Sequence, residues 1–303
     1  MTEETLSVPV NTADGGRAEF AGHYFTAEST PTGVLQVLVH GNSYDHRYWD
    51  FGPVNNNAYS YVQYMTARGH DVLAVDLPGT GSSSRPDGDA VSLESVGDGL
   101  SDMILKVRAG KRLSERAVGH VSLIGHSLGA ILCVQTQGRL QPADSVIVTA
   151  TGYFRGRDDQ GFGPGVREGA LATSYATLSP EAREHAFYYP QMADPDVISY
   201  DNEVLRTTLP RRLWADGLVA RDNLETSAIG GVECPVYVQL GEHDRIMPGK
   251  HATEEREFWL EHSGAGHRVV VEQLADIGHS FNLHRNHEDG WHRIDRFLAA
   301  QMA

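Results

Sequence analysis

Cysteine is almost missing: Cys133 and Cys234 are the two in 303 residues. They stand far apart and in no metal-ligand spacing, which excludes a disulfide framework and a thiolate metal centre. Both are expected to be buried, reduced thiols. No run of about 18 apolar residues exists, so no membrane-spanning helix is expected. Positive charge is scarce too, with 25 Lys and Arg against 40 Asp and Glu and a formal net charge of -15. Phosphate binding needs clustered Lys and Arg, no such cluster occurs, and nucleic acid is excluded as a partner. The first residues, Met1-Thr2-Glu3-Glu4-Thr5, lack the basic start and apolar run of a signal peptide, and the expected compartment is the cytoplasm. There is no internal repeat and no low-complexity tract. What remains is ordinary in composition, 40% hydrophobic and 21% charged, as in globular proteins at large. The length suits one large α/β unit carrying an insertion.

Residues 5–10 and 17–25 alternate apolar and polar around the turn signal Asp14-Gly15-Gly16, which predicts an opening β-hairpin. A regular rhythm follows. Strands are expected at Val34–Val39, Val72–Val75, Val121–Ile124 and Val146–Thr149, and helices at Tyr59–Arg68, Leu93–Val107 and Leu128–Leu140. Successive βαβ units imply a mostly parallel, doubly wound sheet with helices on both faces. After Thr151 the rhythm stops. It resumes with a strand at Val236–Leu240, a helix near Thr253–Glu261, a strand at Val269–Gln273 and a last helix at Asp289–Ala300. Residues 1–151 and 229–303 therefore read as one core domain, and 152–228 as a helical cap inserted into it. The insertion is too long for an ordinary loop, and such segments often cover binding sites. Within it, helices are expected near Glu168–Leu178, over Pro180–Tyr188 and before Gly217, with a hinge at Gly161–Gly165.

Gly125-His126-Ser127-Leu128-Gly129 directly follows one expected strand and opens the next helix. The bare G-x-S-x-G pattern is weak, arising by chance in about one chain in five of this glycine content. Its strand-to-helix setting is what gives it meaning. A sharp turn there holds the serine in a strained conformation with its hydroxyl clear of the sheet, and the glycines leave room for it. Ser127 is thus a candidate nucleophile. His279, in Asp276-Ile277-Gly278-His279, lies beyond the last expected strand, at the end of a parallel sheet where sites are built. A neutral imidazole there can take the Ser127 proton and return it to a leaving group.

The arrangement resembles the α/β-hydrolase family across nearly the whole chain. The resemblance implies an oxyanion hole in the loop His40-Gly41-Asn42-Ser43, with the backbone N–H groups of Asn42 and Leu128 as donors and His40 structural. It implies a catalytic acid at Asp244, in Gly241-Glu242-His243-Asp244 after Val236–Leu240, with Glu242 the rival. The alternative position for an acid, after Val146–Thr149, reads Ala150-Thr151-Gly152 and offers no carboxylate. Ser127, Asp244 and His279 then stand in the family's chain order. Asp76 in Asp76-Leu77-Pro78-Gly79-Thr80-Gly81 is expected to shape a turn.

His279, His284, His287 and His292 crowd the C-terminus, but no converging carboxylates suggest metal, and none is expected; nor is any cofactor. Tyr44, Tyr48, Trp49, Phe51 and the aromatics of the insertion are expected to be mostly core, with a few lining an apolar pocket. Serine at position 127, where haloalkane dehalogenases and epoxide hydrolases have aspartate, argues against those two activities. The expected function is a serine hydrolase cleaving an ester or related acyl bond of a small, largely apolar molecule. Two alternatives are a lyase, acyltransferase or cyclase of specialised metabolism using the same residues, and a ligand-binding protein of the same fold with little turnover. The sequence does not fix the substrate or the oligomeric state.

Overall fold

The computed structural model describes residues 3–52, 54–110, 118–155, 165–247 and 249–302. The hairpin is formed by β1 (Glu3–Asn11) and β2 (Arg17–Phe25). Then come β3 (Val34–Val39), α1 (Tyr61–Thr66), β4 (Asp71–Asp76), α2 (Leu93–Arg108), β5 (His120–His126), α3 (Leu128–Leu140) and β6 (Ser145–Thr149). Between β6 and the next strand of the main sheet come α4 (Val166–Ala170), β7 (Tyr175–Ala176), α5 (Pro180–Phe187), α6 (Pro195–Tyr200), β8 (Leu209–Pro210), α7 (Arg211–Asp222) and α8 (Leu224–Ser227). The chain closes with β9 (Val236–Gly241), α9 (Ala252–His262), β10 (Val269–Leu274) and α10 (His287–Gln301).

Eight strands form one sheet in the order β1-β2-β4-β3-β5-β6-β9-β10. β1 and β2 pair antiparallel, β2 meets β4 antiparallel, and all later pairings are parallel. The branched runs of β3, β4 and β5 are buried along their whole length, as strands covered on both faces must be. Each buried Val, Leu or Ile there contributes about 2 kcal/mol of apolar transfer. The chain leaves β3 toward β4 on one side and returns to β5 on the other, so β3 and β5 flank a switch point. The loops following two such strands diverge and leave a crevice between them. Val39 is in register with Gly125, so the crevice lies between the His40-Gly41-Asn42 loop and Ser127. No helix among the described residues is long and apolar enough to cross a membrane.

The segment between β6 and β9 departs from expectation in two places. The helix expected over Glu168–Leu178 ends at Ala170, because Tyr175 and Ala176 instead pair antiparallel with Pro210 and Leu209. Tertiary pairing overrides local propensity there, and the Tyr175 hydroxyl anchors the bend by donating to Pro86 O at 2.6 Å. The helix expected before Gly217 runs straight through it. A Cβ at Gly217 would lie 2.2 Å from Leu128 Cδ1, so this glycine lets α7 approach the start of α3 and does not mark an end. The hinge expected at Gly161–Gly165 falls on residues 161–164, outside the described residues. Cys133 is buried as expected, whereas Cys234 is only half-buried.

Candidate active site

Ser127 joins β5 to α3 with φ 53° and ψ -119°, a sparsely populated positive-φ conformation outside the left-handed helical well that costs about 1–3 kcal/mol. The turn is tight enough that a Cβ at Gly125 would fall 2.3 Å from Ala130 Cα, and one at Gly129 would fall 2.3 Å from Val39 O. Both glycines of the pentapeptide are thus required by backbone contact. Ser127 N donates to Thr149 O at 2.9 Å and its carbonyl accepts from Thr151 Oγ1 at 2.8 Å, so β6 braces the turn from the other side.

His279 Nε2 lies 2.9 Å from Ser127 Oγ, and His279 Nδ1 lies 2.8 Å from Asp244 Oδ2. Asp244 and His279 are both buried. The other Asp244 oxygen, Oδ1, accepts the backbone N–H groups of Ile246 and Met247 at 2.8 Å each. Four hydrogen bonds therefore fix this carboxylate and the imidazole it holds: Nδ1–H donates to Asp244, which leaves Nε2 to accept from the Ser127 hydroxyl. The rival Glu242 points outward, its side chain 43% exposed, and accepts Asp276 N–H at 3.1 Å.

The loop after β3 brings Asn42 beside this group, and a Cβ at Gly41 would sit 3.1 Å from Ser127 Cβ. His40 explains how Asn42 is aimed. Its Nε2 accepts Leu77 N–H at 3.1 Å, so its Nδ1 carries the proton and donates to Gly41 O at 2.8 Å. Gly41 C=O and Asn42 N–H share one planar trans peptide, so holding the carbonyl one way turns the amide the other way. Burial lowers the His40 pKa below its ordinary value, which keeps the ring neutral and able to do both tasks. Among the described residues, neither the Asn42 nor the Leu128 backbone N–H donates a hydrogen bond.

Several contributors had no signal in the sequence. His284 Nε2 accepts the N–H groups of Gly278 and Tyr189 at 3.1 and 3.0 Å, while its Nδ1 donates to Ser280 O at 2.9 Å. It ties both sides of His279 to the residues after α5. The Glu255 carboxylate of α9 reaches the loop after β6, where it accepts Tyr153 N–H and Phe154 N–H. Position 126, the variable residue of the pentapeptide, is a buried histidine stacked on Tyr48, with ring centroids 4.4 Å apart. Burial, then the neighbouring His279 and His40, hold its pKa well below the ordinary value. Phe187 packs its ring 5.4 Å from that of His279.

Asp76 shapes the turn after β4, accepting His46 N–H at 2.8 Å and Ser82 N–H at 2.7 Å. Burial opposes its ionisation, yet bonds from His23 and His46 outweigh that and hold its pKa far below the carboxylate range. Among the described residues, His23, His46 and Asp76 form one of two groups whose potential metal-ligand atoms lie within 4.8 Å; Glu242, His243 and Asp276 form the other. In the first, each imidazole already faces an Asp76 oxygen.

His284 predicts an acid sensitivity. Burial pushes its pKa from 6.5 down to about 4. Below pH 6.5 the unfolded chain takes up a proton that the folded ring refuses, so stability falls as pH drops from about 6.5 to about 4, by about 1.4 kcal/mol per unit from this group. His40, His126, His120 and His287 are lowered by burial as well and add with the same sign. His23, raised by Asp76 and Glu3 against its burial, runs the other way and loses its contribution as pH rises. Thermal melts from pH 7 to 4 should show a steep fall in Tm for the native chain and a shallower one for His284→Gln. Parallel profiles would refute this role for His284.

Comparisons with known proteins bear on the family and the fold. A family model described as the alpha/beta hydrolase family matches residues 36–288. Among solved structures, a thermophilic esterase from Thermogutta terrifontis superposes with a TM-score of 0.66 at 20% identity, covering 98% of this chain and all of that one. A monoacylglycerol lipase from Paleococcus ferrophilus gives 0.66 at 16% identity, with 93% of this chain and 98% of that one covered. A hydrolase from Pseudomonas aeruginosa gives 0.65 at 19% identity, covering 96% and 98%. No curated protein matches the sequence. At these identities the likeness to solved structures establishes a common fold.

Proposed function

The chain belongs to the alpha/beta hydrolase family, and from that premise we propose that it cleaves an ester or related acyl bond of a small, largely apolar molecule. The observation that carries this reading is the unbroken relay from Asp244 Oδ2 through both nitrogens of His279 to Ser127 Oγ, at 2.8 and 2.9 Å. His279 Nε2 takes the Ser127 proton as Oγ attacks the substrate carbonyl carbon, and Asp244 stabilises the imidazolium that forms. The carbonyl oxygen gains negative charge and is received by the Asn42 and Leu128 N–H groups, each worth about 3 kcal/mol in the transition state. His279 then hands the proton to the leaving oxygen, which departs as an alcohol and leaves an acyl-Ser127 ester. A water molecule, deprotonated by His279, hydrolyses that ester and restores the serine.

Segment 152–228 serves in this reading as a cap. Some of its polar contacts fall on loops around the site, Arg183 and Thr207 on Ser43 and Tyr189 on His284, while others hold the loop after β4, Tyr175 on Pro86 and Arg211 on Asp89. Phe187, Tyr44 and Tyr48 surround His279 and His126 with aromatic surface, which favours an apolar acyl or alkyl group.

The test is covalent. A fluorophosphonate probe should label the chain at Ser127, and a chain-length panel of p-nitrophenyl esters should release p-nitrophenol together with the free acid. A chain that the probe leaves unlabelled, or an ester converted to an eliminated or cyclised product, would overturn the proposal.

A further inference from the structure

Ser43 follows Asn42 and is buried in a left-handed conformation, φ 73°, which a serine adopts only when its surroundings impose it. Its carbonyl accepts two donors from the inserted segment, Arg183 Nη1 at 3.0 Å and Thr207 N–H at 3.1 Å, and Arg183 Nη1 also meets its hydroxyl. Thr207 Oγ1 adds a bond to Tyr44 O at 2.9 Å. Gly41 upstream is fixed by His40, so both flanks of the Asn42 amide are anchored.

Arg183 is itself fully buried, and its guanidinium is divided among three partners. Nη1 serves Ser43, Nη2 pairs with the equally buried Asp201, and Nε donates to Asn202 Oδ1 at 3.1 Å. Asp201 Oδ2 accepts the hydroxyls of Tyr188 at 2.6 Å and Tyr44 at 3.3 Å, and Tyr44 Oη lies 2.7 Å from Ser280 Oγ. The network thus ends on two residues, Ser43 beside Asn42 and Ser280 beside His279. Asp201 begins a π-helical turn, an irregularity that recurs at functional sites. A buried ion pair is a poor source of net stability. Its fork geometry suits the setting of a direction, which a lysine's point charge does not.

We propose that Arg183, held by Asp201, is a positioning residue: by clamping Ser43 O it sets the direction of the Asn42 N–H at the developing oxyanion. The inference rests on the hydrolytic reading of Ser127. An oxyanion donor that is misaimed still admits substrate but stabilises the transition state less.

The experiment compares native chain, Arg183→Lys, the double variant Arg183→Met with Asp201→Asn, and Asn202→Ala. Each is checked for folding by circular dichroism, and kcat on p-nitrophenyl butyrate is expressed per active site titrated with the fluorophosphonate. Arg183→Lys and the double variant should lower kcat about 10- to 100-fold and slow labelling in parallel, with KM changed less than about threefold. Asn202→Ala, which removes the bond to Arg183 Nε and leaves the Asp201 pair in place, should lower kcat about threefold in the same way, and it decides the matter if the Arg183 variants do not fold. A merely structural role would reduce the number of titratable sites and leave kcat per site unchanged, which overturns the proposal. A raised KM at native kcat also overturns it, by making Arg183 a substrate ligand. A native chain that the probe does not label removes the hydrolytic reading and this proposal together, whereas native labelling with unaltered variants removes this proposal alone.

Discussion

Ser127→Ala should lower kcat by a factor of about 10⁴ to 10⁶ and abolish fluorophosphonate labelling, with KM little changed. The size follows from what the substitution removes and what it leaves. Oγ is the atom that forms the acyl bond, and without it the covalent route is closed. The Asn42 and Leu128 amides remain, and so does the imidazole, now free to activate water directly. Such residual catalysis explains why a rate above background survives. The fold should be undisturbed. Ser127 already carries a Cβ at φ 53°, so alanine meets the same backbone strain, and the hydroxyl's bond to His279 at 2.9 Å is the contact given up. Its loss is worth about 1 kcal/mol, a small shift in Tm against a very large shift in rate. A purified, folded variant retaining a tenth of the native kcat would sink the assignment of Ser127, and with it the acyl-enzyme.

The residues of this relay were legible because each is locally encoded. Ser127 needs glycines on both sides and a strand before it, and all three are written in consecutive residues. Asn42 and Asp244 follow the short buried strands β3 and β9, His279 follows the edge strand β10, and strand ends of one parallel sheet converge by topology. The hairpin, the eight sheet strands and the helices flanking them follow from the same periodicity. What the sequence does not carry is pairing across distance. Arg183 reaches Ser43 from 140 positions away, and no period or spacing links a helix in the insertion to a loop near the start. His284 looks like one histidine in a surface cluster until its ring is seen bonding backbone on both sides of His279. Gly217 has the form of a helix stop, and the contact with Leu128 that gives it another purpose lies in a different element. Ala150-Thr151-Gly152, directly after β6, offers no carboxylate, yet Glu255 of α9 supplies one to the N–H groups of Tyr153 and Phe154. Short strands such as Tyr175–Ala176 are set wholly by their partner, which is why a helix was expected there.

Asp244→Asn should lower kcat about 10⁴-fold, and the reason lies in the bonds made by the carboxylate oxygen that does not face His279. Oδ1 accepts two backbone N–H groups, from Ile246 and Met247. An asparagine at this position must put its own oxygen there, because its NH₂ group has nothing to donate to at two N–H groups. The NH₂ group is thereby turned toward His279 Nδ1. That nitrogen can then only accept, the ring proton moves to Nε2, and Nε2–H faces a Ser127 hydroxyl it can no longer deprotonate. The side chain is isosteric, so packing and KM should hold while the rate collapses, and the loss should ease at high pH as hydroxide replaces the missing base. Glu242→Gln is the matched control. Its exposed carboxylate accepts Asp276 N–H, a bond that glutamine's oxygen can keep, and the rate should stay within about twofold of native. If instead Glu242→Gln collapses the rate and Asp244→Asn leaves it intact, the acid has been assigned to the wrong residue of the loop. If neither variant alters it, His279 does not depend on a carboxylate partner, and the relay proposed for Ser127 fails at its first link.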